Sequence, residues 1–206
     1  MKLLKSEVVK FARKDTYAIP ESKNVLVRMN DKFYIEDVKG QRITKNFSKI
    51  SDFYKGLASF ECGEEVGLVT ADGKIILKNK YDKLVLDGEI IRIYLKGKWG
   101  FMNRDFKVIC SPKYMFIEKF NNGYARFQND EGKWGVISTS GRVVVKPKYS
   151  YIGDLSGEQI VAQTYKGYGA INIRGEVVVP FGYKKIACCD GHTQLFNFTG
   201  EKCILN

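Results

Sequence analysis

Gly132-Lys133-Trp134-Gly135-Val136-Ile137, followed by the turn Thr139-Ser140-Gly141 and then by Lys146-Pro147-Lys148-Tyr149 and Ile152, is the stretch that decides the fold. Slid along the chain, it finds itself again. With Trp134 as anchor, equivalent positions fall at Phe33, Val66, Trp99, Trp134, Tyr168 and Cys203, at spacings of 33, 33, 35, 34 and 35 residues. Fifteen residues after each anchor (fourteen in the first unit) stands an aromatic ring: Phe47, Tyr81, Tyr114, Tyr149 and Tyr183. Three residues further on comes a branched aliphatic: Ile50, Leu84, Ile117, Ile152 and Ile186. A turn glycine stands seven residues after four of the anchors, at Gly40, Gly73, Gly141 and Gly175, with Phe106 the exception, and a second glycine closes each unit at Gly56, Gly88, Gly123, Gly157 and Gly191. A period of about 34 residues is the mark of a repeat architecture in which no unit buries its apolar face alone.

Within a unit the runs between turns are short and rich in β-formers: Tyr124 to Gln128, Lys133 to Ser138, Arg142 to Val145 and Lys148 to Gly153. Each unit is therefore read as about four short antiparallel strands. From Asn24 onward no segment sustains helical periodicity, and the one candidate helix is Leu3 to Phe11. Some strands are apolar almost without alternation, so both of their faces must be covered and neighbouring units must pack face to face. The glycine after the anchor (Gly67, Gly100, Gly135, Gly169) lies inside a strand, where glycine is kept because something comes close. It is read as the seat of a neighbouring unit's ring, with the anchor and the later aromatic forming the repeated core pair.

This constellation resembles the bacterial WG (or KWG) repeat family over residues 24 to 206, most closely from Lys98 to Phe127 and from Lys133 to Ala162. Phe33-Tyr34, Val66-Gly67, Tyr168-Gly169 and Cys203-Ile204 depart from the signature. The resemblance implies an all-β repeat module that mediates binding and has no defining catalytic residue.

The domain reading is an N-terminal segment, residues 1–23, before a β-repeat domain, residues 24–206, of five full units and part of a sixth. Two architectures suit it: a propeller-like ring, which is favoured, and an open β-repeat stack. In a ring the apolar runs Val8 to Phe11 and Tyr17 to Ile19 complete a last blade with His192 to Asn197 and Lys202 to Leu205, which hides the sheet edges. In a stack Leu3 to Phe11 is a cap. Closure places Lys10 beside Ile204, and a stack separates them.

The 206 residues, 44% hydrophobic and 28% charged, suit one globular unit or a short array. No run approaches the ~18 apolar residues of a membrane helix, and Met1 to Ser6 carries no signal-peptide core. An odd count of five cysteines argues against a disulfide framework, so a cytoplasmic setting with reduced thiols is expected, a secreted form with its leader removed being the alternative.

Catalytic sets are missing from the sequence. His192 is the only histidine, at a repeat position filled elsewhere by Leu57, Glu89, Tyr124 and Glu158. Cys188-Cys189 lacks metal-site spacing, Cys62, Cys110 and Cys203 lie in different units, and Cys62 is the expected exposed thiol. The carboxylate pairs Glu64-Glu65 and Asp130-Glu131 sit in turns. No catalytic residue, metal site or cofactor is therefore expected, and the protein is read as a non-enzymatic module.

Charge is the remaining signal, because 34 Lys and Arg against 23 Asp and Glu give +11. A lysine precedes the anchor at Lys32, Lys98, Lys133 and Lys202, and another precedes the later aromatic at Lys80, Lys113 and Lys148. Repetition turns single charges into rows on one face, a surface for an acidic protein or other anionic macromolecule. Nucleic acid is disfavoured, since single-strand readers need bare rings and these rings belong to the core. The alternative is a carbohydrate-binding or enzyme site at a channel or rim, and its discriminator is whether Tyr124, Tyr151, Tyr165 or Tyr168 is exposed and clustered. A structural piece of a larger assembly is the third reading.

Overall fold

The computed structural model describes residues 14–78, 80–155, 159–189, 192–197, 199 and 202–203. Among these residues every regular element is a strand and all pairing is antiparallel, in six sheets. The first sheet holds β1 (Lys14–Ala18), β2 (Val25–Met29) and β3 (Lys32–Glu36). The second holds β4 (Lys49–Ile50), β5 (Leu57–Cys62), β6 (Glu65–Thr70) and β7 (Ile75–Lys78). The third holds β8 (Lys83–Asp87), β9 (Ile90–Leu95), β10 (Lys98–Asn103) and β11 (Val108–Tyr114), and the fourth β12 (Phe116–Ile117), β13 (Tyr124–Gln128), β14 (Trp134–Ser138) and β15 (Val143–Tyr149). The fifth holds β16 (Tyr151–Ile152), β17 (Ile160–Thr164), β18 (Gly167–Ile171) and β19 (Val177–Tyr183), and the sixth β20 (Lys185–Cys189), β21 (His192–Phe196) and β22 (Lys202–Cys203). In each sheet the strands lie in chain order. The chain divides into two compact units, Met1–Leu86 and Asp87–Asn206.

The four-strand repeat is as expected, with a shifted phase. Arg142 to Val145 and Lys148 to Gly153 are read from sequence as the last two strands of one unit. Instead β15 runs straight through Tyr149, and Tyr151 already belongs to the next sheet. The residue between is the crossover: the Ser150 N–H donates to Gln163 O at 2.9 Å, as Met115 does to Gln128 O at 2.9 Å and Ser48 to Glu61 O at 2.7 Å. β1, which contains Tyr17 and Ala18, pairs with β2 in the first sheet. Leu3 to Phe11 and the Lys10 to Ile204 separation lie outside the described residues.

The packing follows from strands covered on both faces. In β14, Ile137 joins the core formed with Phe101, Ile117 and Phe127, while its neighbour Val136 joins the core formed with Tyr149, Ile152 and Ile171. Adjacent residues of one strand thus feed two cores, as the near-continuous apolar run requires. In the first unit Ile35, Phe47, Ala58, Phe60 and Val69 form the equivalent layer. The anchors are only half-buried, whereas the later aromatics Phe47 and Tyr149 are fully buried, so the two do not share the core equally.

The in-strand glycines correct a second expectation. A Cβ on Gly135 would lie 2.6 Å from Val145 O and 2.8 Å from the Phe127 ring, and one on Gly67 2.2 Å from Leu77 O and 2.6 Å from Phe60. The crowding comes from the flanking strands of the glycine's own sheet rather than from a neighbouring unit. Phe60 and Phe127 stand directly opposite these glycines on the preceding strand. The neighbouring unit's ring then packs at a tilt on that covering ring: Phe47 on Phe60 at 4.7 Å and Tyr114 on Phe127 at 4.2 Å. In the fifth sheet Ala162 stands opposite Gly169, and the cover comes from Phe181, 2.7 Å from a Cβ there, on which Tyr149 stacks at 5.7 Å.

The turn glycines also behave as a set. Gly141 has φ +86° and its N–H returns to Ser138 O at 2.9 Å. Phe106 keeps the same turn, with φ +61° and an N–H bond to Asn103 O at 3.1 Å, in a left-handed conformation that a side chain resists.

Candidate binding surface and adjoining cleft

The two lysine rows come to the same end of their sheets, because in antiparallel pairing the start of the third strand lies beside the end of the fourth. Trp99 pairs with Tyr114 and Trp134 with Tyr149, so Lys98 sits beside the end of β11 and Lys133 beside the end of β15. Lys98 Nζ accordingly contacts Met115 Sδ at 3.2 Å. It also pairs with Asp130, in the turn between β13 and β14 of the next sheet. Lys32 opens β3 and is exposed, Lys133 is half-buried, and Lys202 opens β22.

The second row has a uniform geometry. Lys80, Lys113 and Lys148 are exposed, and each ammonium lies over the ring that follows it: 5.8 Å from Tyr81, 5.2 Å from Tyr114 and 5.3 Å from Tyr149. These are cation–π distances. Lys113 and Lys148 ride on the bulge that separates the anchor pair from the next pair in the ladder, which carries them out of the sheet.

The same ends carry two exposed aromatic side chains, each set against an anchor that the repeat pattern assigns to the core. Phe116 pairs with Gln128, which pairs with Trp134; in the next sheet Tyr151 pairs with Gln163, which pairs with Tyr168. Phe116 meets Trp134 edge-on at 6.2 Å, and Tyr151 meets Tyr168 edge-on at 6.4 Å. The first ring of each pair is well exposed, Phe116 at 39% and Tyr151 at 44%. Phe116 was missed because the self-comparison follows rings that recur in every unit, and the equivalent position holds Lys49 in the second sheet.

Beside Tyr151 lies a cleft of 360 Å³ between the outer strands of the fourth and fifth sheets. Tyr124 and Tyr151 contribute rings, and Glu118 with Arg126 forms its polar floor. The Arg126 guanidinium binds both Glu118 oxygens, at 2.6 and 2.9 Å, and donates to Ile152 O of the next sheet at 2.6 Å. Arg92 repeats the device, pairing with Asp87 and donating to Ile117 O at 2.7 Å. An arginine at one repeat position of two successive apolar strands was the sequence signal for this clasp. Of the four tyrosines that discriminate the carbohydrate reading, Tyr151 is exposed and adjoins both Tyr124 and Tyr168, while Tyr165 is exposed alone at a hairpin tip.

Reactive groups are sparse. Cys110 is buried and burial pushes its thiol up, away from the reactive thiolate, while Cys62 is half-buried. Glu64 and Glu131 are exposed. Among the described residues no group of three or more His, Cys, Asp or Glu side chains could hold a metal ion, and no helix is long and apolar enough to cross a membrane.

The family model for the WG containing repeat matches residues 99–134, 134–162 and 168–188. Among curated proteins none matches. Among solved structures the chain is similar to Hsv2 of Kluyveromyces marxianus, at 14% identity and TM-score 0.46 over 86% of this chain and 67% of that one. It is also similar to Hsv2p of Kluyveromyces lactis, at 15% identity and TM-score 0.43 over 89% and 71%. With the WD40 domain of Pan2 from Neurospora crassa the values are 9% and 0.35 over 88% and 70%.

Proposed function

We propose that this chain, which carries three consecutive WG repeats between residues 99 and 188, is a non-enzymatic binding module that holds a rigid basic surface against an acidic protein partner. One observation carries the reading: in the third and fourth sheets register places the lysine before the anchor (Lys98, Lys133) and the lysine before the later aromatic (Lys113, Lys148) at the same end, so each of these two repeats offers two cations there. Bulged strands and ring stacking fix the backbone beneath them, so little order has to be gained on binding. The free thiols Cys62 and Cys110 suit a reducing compartment, and the cytoplasm is the proposed setting.

The test is fluorescence anisotropy of labelled polyglutamate and of a labelled single-stranded oligonucleotide across a salt series. Polyglutamate should bind, with affinity falling as salt rises, and the oligonucleotide should bind more weakly at every salt concentration. Tighter binding to the oligonucleotide would overturn the choice of partner, and no binding to either would overturn the reading.

A further inference from the structure

We propose that the cleft between the fourth and fifth sheets binds a neutral saccharide. This goes beyond the lysine surface and does not rest on it. The cleft has the volume of a small-ligand site, 360 Å³, at the lower end of the range such sites occupy.

Its charges cancel. The lining carries the cations Lys119 and Arg126 and the carboxylates Glu118 and Asp154, so an anionic ligand meets repulsion as well as attraction, while a neutral one has no net charge for either sign to repel. Saccharide hydroxyls both donate and accept. The cleft offers both functions side by side: carboxylate acceptors at Glu118 and Asp154, guanidinium and ammonium donors, and the Asn121 amide, which does both.

The polar floor is fixed in advance. Arg126 is held by two bonds to Glu118 and one to Ile152 O, so the fork does not have to be ordered when a ligand arrives. The rim is fixed as well. Asn121 and Tyr124 flank a two-residue turn at Asn122 (φ +47°) and Gly123 (φ +84°) and bond each other through the backbone at 2.8 and 3.0 Å. Tyr151 adds an exposed ring braced edge-on by Tyr168, a platform of the kind that C–H faces of a pyranose stack upon. A second cleft of 230 Å³ lies beside β4 and β5, where Ser51 and Ser59 hold the positions of Glu118 and Arg126 and the arginine fork has no counterpart. No tyrosine lines it, and in a further cleft of 290 Å³ beside β3 the tyrosine, Tyr34, is buried, so neither offers the exposed ring that Tyr151 does.

The experiment is saturation-transfer NMR followed by calorimetric titration. The probes are cellohexaose, maltohexaose, mannohexaose and N-acetylchitohexaose, with heparin and polygalacturonate as anionic arms. At least one neutral hexasaccharide should bind. Its affinity should fall at least about tenfold in Tyr151→Ala, fall in Asn121→Ala, persist in Tyr151→Phe, which keeps the ring, and remain unchanged in Tyr165→Ala, outside the cleft. Circular dichroism of each variant confirms that it is folded. Absence of binding by every neutral probe, binding confined to the two polyanions, or equal affinity in folded Tyr151→Ala would each overturn the proposal.

Discussion

Trp134 stands directly opposite Tyr149, and Val136 directly opposite Val145, so β14 spends one residue between these pairs where β15 spends three. The one residue is Gly135 and the three are Lys146, Pro147 and Lys148. The third and fifth sheets repeat the mismatch, with Gly100 against Ser111 to Lys113 and Gly169 against Pro180 to Gly182. The surplus strand folds over the glycine, which is why proline is tolerated there and why the following lysine stands clear of the sheet.

Gly135→Ala should therefore destabilise the protein by about 1 to 3 kcal/mol, the usual cost of overpacking, since a backbone carbonyl at 2.6 Å has little freedom to yield. Gly153→Ala is the control: its nearest neighbour would be 3.2 Å away and its backbone is unstrained, so its cost should be clearly smaller. Urea denaturation followed by circular dichroism compares them, and equal costs would show that the close approach is not what retains the glycine.

Ala162 and Phe181 should prove coupled. In the fourth sheet Phe127 covers Gly135 and Pro147 sits on the bulge; in the fifth Ala162 leaves room and Phe181 supplies the ring. Ala162→Phe alone overfills the site and Phe181→Pro alone empties it. Together they recreate the fourth sheet's arrangement, so the double variant should be more stable than the sum of the singles by about 0.5 to 3 kcal/mol, the range for contacting residues. Additive losses would contradict the exchange.

Arg126→Lys should cost about 1.5 to 3 kcal/mol, because an ammonium cannot keep both Glu118 oxygens and the Ile152 carbonyl in one plane. Thermal melting checks it; a loss within error would place the guanidinium outside the clasp between sheets.

Stability should be level near neutrality and decline in alkali. Burial raises the Cys110 thiol and the Tyr81 and Tyr114 hydroxyls above their ordinary values. Each group is neutral when protonated, so the folded state holds its proton to higher pH than the unfolded chain. That contribution is complete below the unfolded values, about 8.5 for a thiol and about 10 for a phenol, and is lost as pH rises from there through the folded values. Melting temperature should fall above about pH 9, less steeply in Cys110→Ala, and a rise in that window would contradict the assignment.

Much of this was legible in the sequence. The period, the turn glycines and the burial of the aliphatics Leu84, Ile117, Ile152 and Ile186 follow from spacing and apolar run length. The phase was not, because a period says that Tyr149 and Tyr151 recur and cannot say that the chain changes sheet between them. The source of crowding at Gly67 and Gly135 was hidden for a related reason: Phe60 and Phe127 lie on the preceding strand, seven and eight residues back, where only pairing register reveals them. Exposed Phe116 escaped because its position holds Lys49 in the second sheet, so no recurring ring marks it.

The most direct test of the basic surface compares two triple variants of equal charge. Lys80→Glu/Lys113→Glu/Lys148→Glu removes the row beside the later aromatics. Lys39→Glu/Lys74→Glu/Lys107→Glu changes net charge equally at exposed positions in the turns that follow the third strands, at the other end of the sheets. If the row is the binding surface, the first variant should lose polyglutamate binding and much of its salt dependence while the second keeps most of both. Equal losses would mean that net charge alone attracts the polyanion, and that the repeated lysines are no surface at all.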